Sequence, residues 1–273
     1  YHSAPGYQSV NTYSERVGEA LDSAVRDAVC GKEVAVAFSG GLDSGLVAAL
    51  AEKYAESVVL YTAGSDGSYD VINSKDASLK MGLPWRHILL HEGNIETILR
   101  EMVRFTATTS PLTLSFEVPT FCVTKGSEEK LILGGMGSDE LFAGYHKYIG
   151  MSEEEFRRNS EEDMEKLLTD VAKHEDKVAA ALGKTIIRPF TAPDVQKVAR
   201  SIPFGILGPK DESSRKAVLK VLALSRGLDF IADKSKKAAQ YGSGTTDLIK
   251  ATAKRKGMTQ YQYISMICRE ELD

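Results

Sequence analysis

With 273 residues, 42% of them hydrophobic and 26% charged, the chain has the composition of a globular protein built as one large α/β domain or two small ones. A net charge of −4 argues against a generic electrostatic nucleic-acid binder, and no apolar run is long enough to span a membrane. Cys30, Cys122 and Cys268 are far apart and form no metal-spaced cluster, so each is expected to be a small buried residue in a reducing cytoplasm; no signal-peptide core is visible.

Residues 1–12 read as an irregular lead-in around Pro5 and Gly6. Apolar positions Val17, Ala20, Leu21, Ala24, Val25 and Ala28 then recur at the helical period, predicting a helix over Tyr13–Val29 that stops at Gly31. Val34 to Phe38 is a short buried-strand pattern, and Leu46, Val47, Leu50 and Ala51 return to helical spacing up to Tyr54. Ser39-Gly40-Gly41-Leu42-Asp43-Ser44 joins the two. Glycines let a backbone turn tightly and approach a ligand, and the free amides at the start of a helix favour an anion. Ser39 and Ser44 add hydroxyls. Asp43 repels phosphate by itself, but belongs there if a divalent cation bridges carboxylate and phosphate. The stretch therefore reads as a metal-pyrophosphate cradle, and it is not a Walker loop, since no Lys-Ser or Lys-Thr closes it.

Ser57 to Thr62 is a second strand, and Ala63 to Ser68 is its exit loop. In an open parallel sheet that loop is expected beside the cradle, either carrying adenine or ribose contacts or serving as a plain solvated turn. A helix over Asp70–Met81, a strand over Trp85–Leu90 and a helix over Asn94–Phe105 capped by Asn94 follow. His87 and His91 have no evident metal partners and read as ordinary strand residues. Thr106 to Leu114 reads as a loop, Ser115 to Val123 as a helix, and Lys130 to Leu133 as a fourth strand. That strand runs into Gly134-Gly135-Met136-Gly137-Ser138-Asp139, a second glycine-rich loop with an acidic residue at a helix start. Asp139 either shares a Mg²⁺ with Asp43 or serves as a helix cap. The alternation of strands and helices predicts a doubly wound, mainly parallel sheet.

After Met151 no strand is convincing. Ser152 to Lys166 reads as a solvated helix or lid, residues 169–182 as a helix ending at Gly183, and a further helix starts at Ala217. The expected organisation is an α/β core over 1–150 and a helical region over 151–273 completing the same domain. Lys234 to Gly244 places a lysine cluster before two glycines. A lysine folded over a pyrophosphate would neutralise charge on the leaving group; the alternative is a basic helix end with a glycine stop.

Together these blocks resemble the N-type ATP pyrophosphatases, and within them the synthetase domain of glutamine-dependent asparagine synthetases. The resemblance runs from about residue 16 to 260. It is carried by Ser39–Ser44, by Gly64–Asp70 with its Gly-x-x-Gly-Ser-x-Asp spacing, by Gly135-Met136-Gly137-Ser138-Asp139-Glu140-Leu141-Phe142-Ala143-Gly144-Tyr145, and by Lys236 followed six and eight residues later by glycine. It implies an adenine nucleotide alpha hydrolase-like fold and a ligase that uses ATP and Mg²⁺ to adenylate a carboxylate, releasing AMP and pyrophosphate, for amide formation in amino-acid biosynthesis. Ser39, Gly40, Gly41, Asp43 and Ser44 would hold pyrophosphate. Asp43 and Asp139 would bind Mg²⁺. Backbone near Ala37, Ala63 and Gly135 would frame the adenosine, and Lys236 would join Asp43 as a catalytic residue.

Two departures affect the substrate side. The family's glutamate in the Gly-Glu-Gly block is Met136, and its Val-Glu-x-Arg-x-Pro-Phe block reads Gly183-Lys184-Thr185-Ile186-Ile187-Arg188-Pro189-Phe190, without the glutamate and with Arg188 shifted by one. Nothing resembles a nucleophilic N-terminal cysteine, so nitrogen is expected from ammonia or a separate glutaminase subunit. Two other readings stand beside this one: a nucleotide-binding module or subunit without turnover, and a sulfur-transferring or tRNA-modifying relative. A homodimer is expected only on general frequency.

Overall fold

A computed structural model describes the backbone of residues 5–232 and 239–272 and, from Val10 onward, their side chains. Helix α1 (Pro5–Val29) leads into β1 (Glu33–Ala37), followed by α2 (Leu42–Tyr54), β2 (Ser57–Ser65), α3 (Tyr69–Met81) and β3 (Trp85–Leu90). Two helices, α4 (Ile95–Thr106) and α5 (Pro111–Gly126), precede β4 (Leu131–Leu133) and the single-turn α6 (Ser138–Leu141). Then come α7 (Glu153–Lys166), a π-helical turn (Leu167–Val171), α8 (Ala172–Ala181), β5 (Thr185–Ile187), α9 (Pro193–Arg200), α10 (Phe204–Leu207) and α11 (Ala217–Ser225). The chain finishes with α12 (Asp229–Ala232), α13 (Ala239–Gly242), α14 (Thr245–Arg255) and α15 (Gln260–Leu272).

The five strands lie in the order β3-β2-β1-β4-β5, all parallel. The sheet grows outward from β1 to β3, and the chain then returns to lay β4 on the other side of β1. The winding therefore reverses between β1 and β4, which in an open parallel sheet opens a crevice beyond the strand ends. Strand residues alternate between two apolar layers, as the two-residue pleat requires. Val34, Val36, Leu60 and Leu133 pack toward α1, α2, α9 and α11, while Ala35, Tyr61, Ile132 and Ile186 pack toward α4, α5, α8, α14 and α15. Both faces are covered, so the central strands read as continuous apolar runs. No described helix is long and apolar enough to cross a membrane.

The doubly wound parallel sheet is as expected, with five corrections of detail. The second half is not purely helical, because β5 pairs in parallel with β4, Leu131 opposite Thr185 through Leu133 opposite Ile187. Three residues are too few for periodicity to distinguish strand from helix. Helix α1 begins at Pro5, inside the supposed lead-in. Helix α5 begins at Pro111, where Ser110 Oγ accepts from Thr113 N at 3.3 Å and proline fills a first-turn position that needs no N–H. Asn94 holds the cap position of α4, but its side chain turns back, accepting from His91 N and donating to Leu89 O, both at 2.9 Å. Cys30 is exposed, unlike Cys122 and Cys268.

Candidate active site

The loop after β1 is shaped by one glycine and two serines. Gly40 adopts φ +72°, and a Cβ there would lie 2.6 Å from the Asn73 and Ser74 backbone of α3. Only glycine lets the loop rest on that helix. Ser39 and Ser44 hydroxyls sit 3.2 Å apart, Ser44 Oγ accepts from Ser39 N at 3.3 Å and donates to Gly41 O at 3.4 Å, closing the loop into a cup. Gly41 caps α2 without a side-chain bond, so the first amides of this helix remain for a ligand.

The loop after β4 lies directly on this cup. A Cβ at Gly135 would come 2.9 Å from Asp43 Cβ and 3.1 Å from Ser44 N. Gly137, at φ +94°, is the cap of α6, so Asp139 is not the cap but a first-turn residue. Its carboxylate meets that of Asp43 on a single ammonium. Lys216 Nζ lies 2.6 Å from Asp43 Oδ2 and 2.8 Å from Asp139 Oδ1, and donates to Ser138 Oγ at 2.9 Å. Lys216 is 5% exposed and takes φ +54°, a left-handed conformation that costs a non-glycine residue energy. Burial opposes its charge, but Asp139 and Asp43 outweigh that and hold the ammonium above its ordinary pKa. Gly144 closes the group from outside: a Cβ there would collide with Asp139 Oδ1 and Lys216 Cε. Behind Asp139, Tyr145 donates to the buried Glu140 at 2.6 Å, and burial together with Asp139 pushes the Glu140 carboxyl up.

Two carboxylates and one ammonium leave one negative charge in the crevice, and Asp43 Oδ1 is buried there without a hydrogen-bond partner. An orphaned hard oxygen at a phosphate-sized cup suits a Mg²⁺ that takes two carboxylates and completes its shell with phosphate oxygens and water. Among the described residues no group of three or more His, Cys, Asp or Glu side chains could hold a metal by itself.

The remaining expected positions are less closely joined. Ala37 ends β1 opposite Tyr61, and Ala63 lies buried on the neighbouring β2. The turn between α13 and α14 docks on the exit of β2, where Ser65 N donates to Ser243 O at 2.8 Å. Lys236, with Lys234 and Lys237, lies outside the described residues. Met136 is half-buried and packs on the apolar layer that contains α9. Arg188, 8% exposed, pairs with Glu175 and Asp176 of α8 at 2.8 Å each rather than facing the crevice. His87 shares a hydrogen bond with Gly64 O at 2.9 Å and stacks on Trp85, a structural role.

Lys216 escapes a motif reading because it follows Ser213-Ser214-Arg215 with no glycine beside it. One signal was available: a lysine at the start of the apolar helix α11 has the wrong sign for the helix dipole.

The Asparagine synthase family model matches residues 16–152, half of the chain. A putative glutamine-hydrolyzing asparagine synthetase of Methanocaldococcus jannaschii is 28% identical, over 97% of this chain and 57% of that protein. A probable glutamine-hydrolyzing asparagine synthetase of Acanthamoeba polyphaga mimivirus is 26% identical, over 70% of this chain and 36% of that protein. The chain thus spans about half, or less, of the length of these curated relatives. Among solved structures, NMN synthetase of Francisella tularensis aligns over 96% of this chain and 94% of its own, at 13% identity and a TM-score of 0.45.

Proposed function

The chain belongs to the asparagine synthase family, and from that premise we propose that it is an ATP-dependent amidoligase that adenylates a carboxylate, releases pyrophosphate and passes the acyl group to ammonia. The observation that carries this reading is the convergence of Asp43 and Asp139, from two glycine-rich loops at the sheet's reversal point, on the buried Lys216.

The α2 amides and the Ser39 and Ser44 hydroxyls would bind the β and γ phosphates. Lys216 would neutralise charge on the phosphate chain from inside the crevice, where low dielectric makes a fixed cation effective. Asp43 and Asp139 would hold Mg²⁺, which when bound neutralises phosphate oxygens and favours in-line displacement at the α phosphorus. Backbone at Ala37, Ala63 and Gly135 would frame the adenosine. Lys236 would act beside Asp43 as a catalytic residue, as the resemblance implies. The acceptor carboxylate and its nitrogen donor would enter past Met136, which can neither take a proton nor bind an amine. That substitution also favours a second reading, a nucleotide-binding module without turnover.

Pyrophosphate release from Mg·ATP, measured with aspartate plus ammonium and with a panel of other carboxylates, tests the proposal. Carboxylate-dependent release is expected, and Asp43→Asn should lower it roughly a hundredfold. ATP binding without release on any acceptor would support the second reading; unaltered turnover in the asparagine variant would remove Asp43 from the site. Sulfur transfer has less support, since Cys30 sits ahead of the amino end of β1, away from the glycine loops, and burial pushes the Cys122 thiol up to about 12.

A further inference from the structure

On the α4–α5–α8 side of the sheet, ionisable groups from two helices, α5 and α8, line a small cavity that the reaction above does not use. Glu117 of α5 is 4% exposed, and His174 of α8 places Nδ1 3.1 Å from its Oε1. Glu175, next along α8, is 5% exposed and receives Arg188 Nη2 at 2.8 Å and Nε at 3.2 Å. Arg188 also donates to Asp176 at 2.8 Å and to Ala172 O at 3.3 Å. From α4 the cavity receives only Met102 and Thr106, neither of which titrates. Lys177 and, from the π-helical turn, Asp170 act on His174 with opposite signs.

The charge count does not close with every group in its usual state. Arg188 is already shared by two carboxylates, so among the described residues His174 is left as the side-chain partner of Glu117. An ionised Glu117 would be a second buried anion beside Glu175, which desolvation and like-charge repulsion both oppose. A charged His174 would have to form partly shielded from water and beside Lys177, both of which oppose it. We propose that Glu117 and His174 hold a single proton between them, as a carboxylic acid donating to a neutral imidazole, and that losing it at alkaline pH loosens the α5–α8 contact behind the Asp139 loop. Burial, then Glu175, holds the Glu117 carboxyl up at about 8, while burial and Lys177 hold His174 below its ordinary value.

The path to the crevice is a run of direct contacts. Helix α8 holds Arg188, and the Arg188 carbonyl accepts from Thr191 N at 2.9 Å and from Thr191 Oγ1 at 2.8 Å. Thr191 packs on Gly137, where an added Cβ would lie 2.8 Å from Thr191 Cγ2. Gly137 is the cap from which Ser138 and Asp139 project.

The test is urea unfolding of the whole chain between pH 5 and pH 9, for wild type and Glu117→Gln, which keeps the shape of the protonated acid. A carboxyl raised from 4.5 to about 8 by folding stabilises the native state fully at pH below 4.5 and loses that contribution as pH rises toward 8. Relative to the glutamine variant, the wild-type folding constant should fall about tenfold per pH unit between pH 5 and pH 8. Parallel profiles would overturn the proposal. In His174→Ala the same limb should move to lower pH, because the acid has lost its acceptor; an unmoved limb would reject the pairing. Infrared spectra of the wild type should show a protonated carboxylic acid at pH 7 that fades as Glu117 ionises, and its absence at pH 7 would reject the proton assignment even if the glutamine variant does not fold. Hydrogen-exchange protection of the Leu141 and Phe142 amides, which donate to Gly137 O and Ser138 O, should fall above pH 8 in the wild type and not in Glu117→Gln; equal protection would break the link to the crevice. None of these readouts depends on the proposed reaction.

Discussion

Lys216→Met is expected to lower pyrophosphate release by a hundredfold or more and to cost about 3–5 kcal/mol of folding stability. Methionine has a similar length, so the change leaves no large void; what it removes is the ammonium between Asp43 and Asp139. Two carboxylates would then face each other without the ammonium, and breaking a buried ion pair on one side costs more than the pair contributes. A second consequence separates this role from ordinary packing. A divalent cation binds the native state alone and stabilises it by mass action, and the gap between two freed carboxylates raises its affinity. Urea midpoints should therefore rise more steeply with Mg²⁺ in Lys216→Met than in the wild type. A variant that unfolds at the wild-type midpoint without Mg²⁺ would show that the lysine does not tie the two loops together.

Gly144→Ala is expected to have the next largest effect. Its Cβ would enter the space of Asp139 Oδ1 and Lys216 Cε, and lie 2.9 Å from Asp139 Cα. Gly144 also donates N–H to Asp139 O at 2.8 Å and accepts from Arg215 Nη1 at 2.9 Å, so it cannot retreat without breaking the same corner. Overpacking of this kind costs about 1–3 kcal/mol. Displacing Asp139 by an ångström should cost turnover roughly a hundredfold, because phosphoryl chemistry depends on position. Gly134→Ala is the control: it lies in the glycine-rich loop that carries Asp139, but a Cβ there meets nothing within 4 Å. Comparable turnover in the two variants would mean that Gly144 does not set the position of Asp139.

The acid–imidazole pair of Glu117 and His174 adds a different dependence. Its contribution to stability declines with alkalinity, whereas the Lys216 cluster is governed by charge pairing in the crevice. Measured over the same pH range, Glu117→Gln should flatten the alkaline decline and Lys216→Met should leave it in place, so the two clusters can be told apart.

Much of this molecule could be read along the chain. The residues of β1, β2 and β4 are apolar runs ending in glycine, and the helices between them carry apolar faces, because a doubly wound sheet must bury both sides of its central strands. That local rule is enough to place Asp43 and Asp139 at equivalent strand ends and to bring their loops to one edge. It is not enough for β5, whose three residues are strand only because β4 offers them an edge. Nor does it reach Lys216, which joins Asp43 across 173 positions, or Gly144, whose need for a bare Cα arises only once Asp139 and Lys216 lie against it. Arg188 shows the same division: its motif points to the substrate side, but burial beside Glu175 and Asp176 turns it toward α8. Local sequence determined the elements and the ends at which chemistry could sit, since periodicity and glycine act over a few residues. Which charges face one another was decided by tertiary packing, because a buried ion pair depends on separation in space and on the water excluded around it.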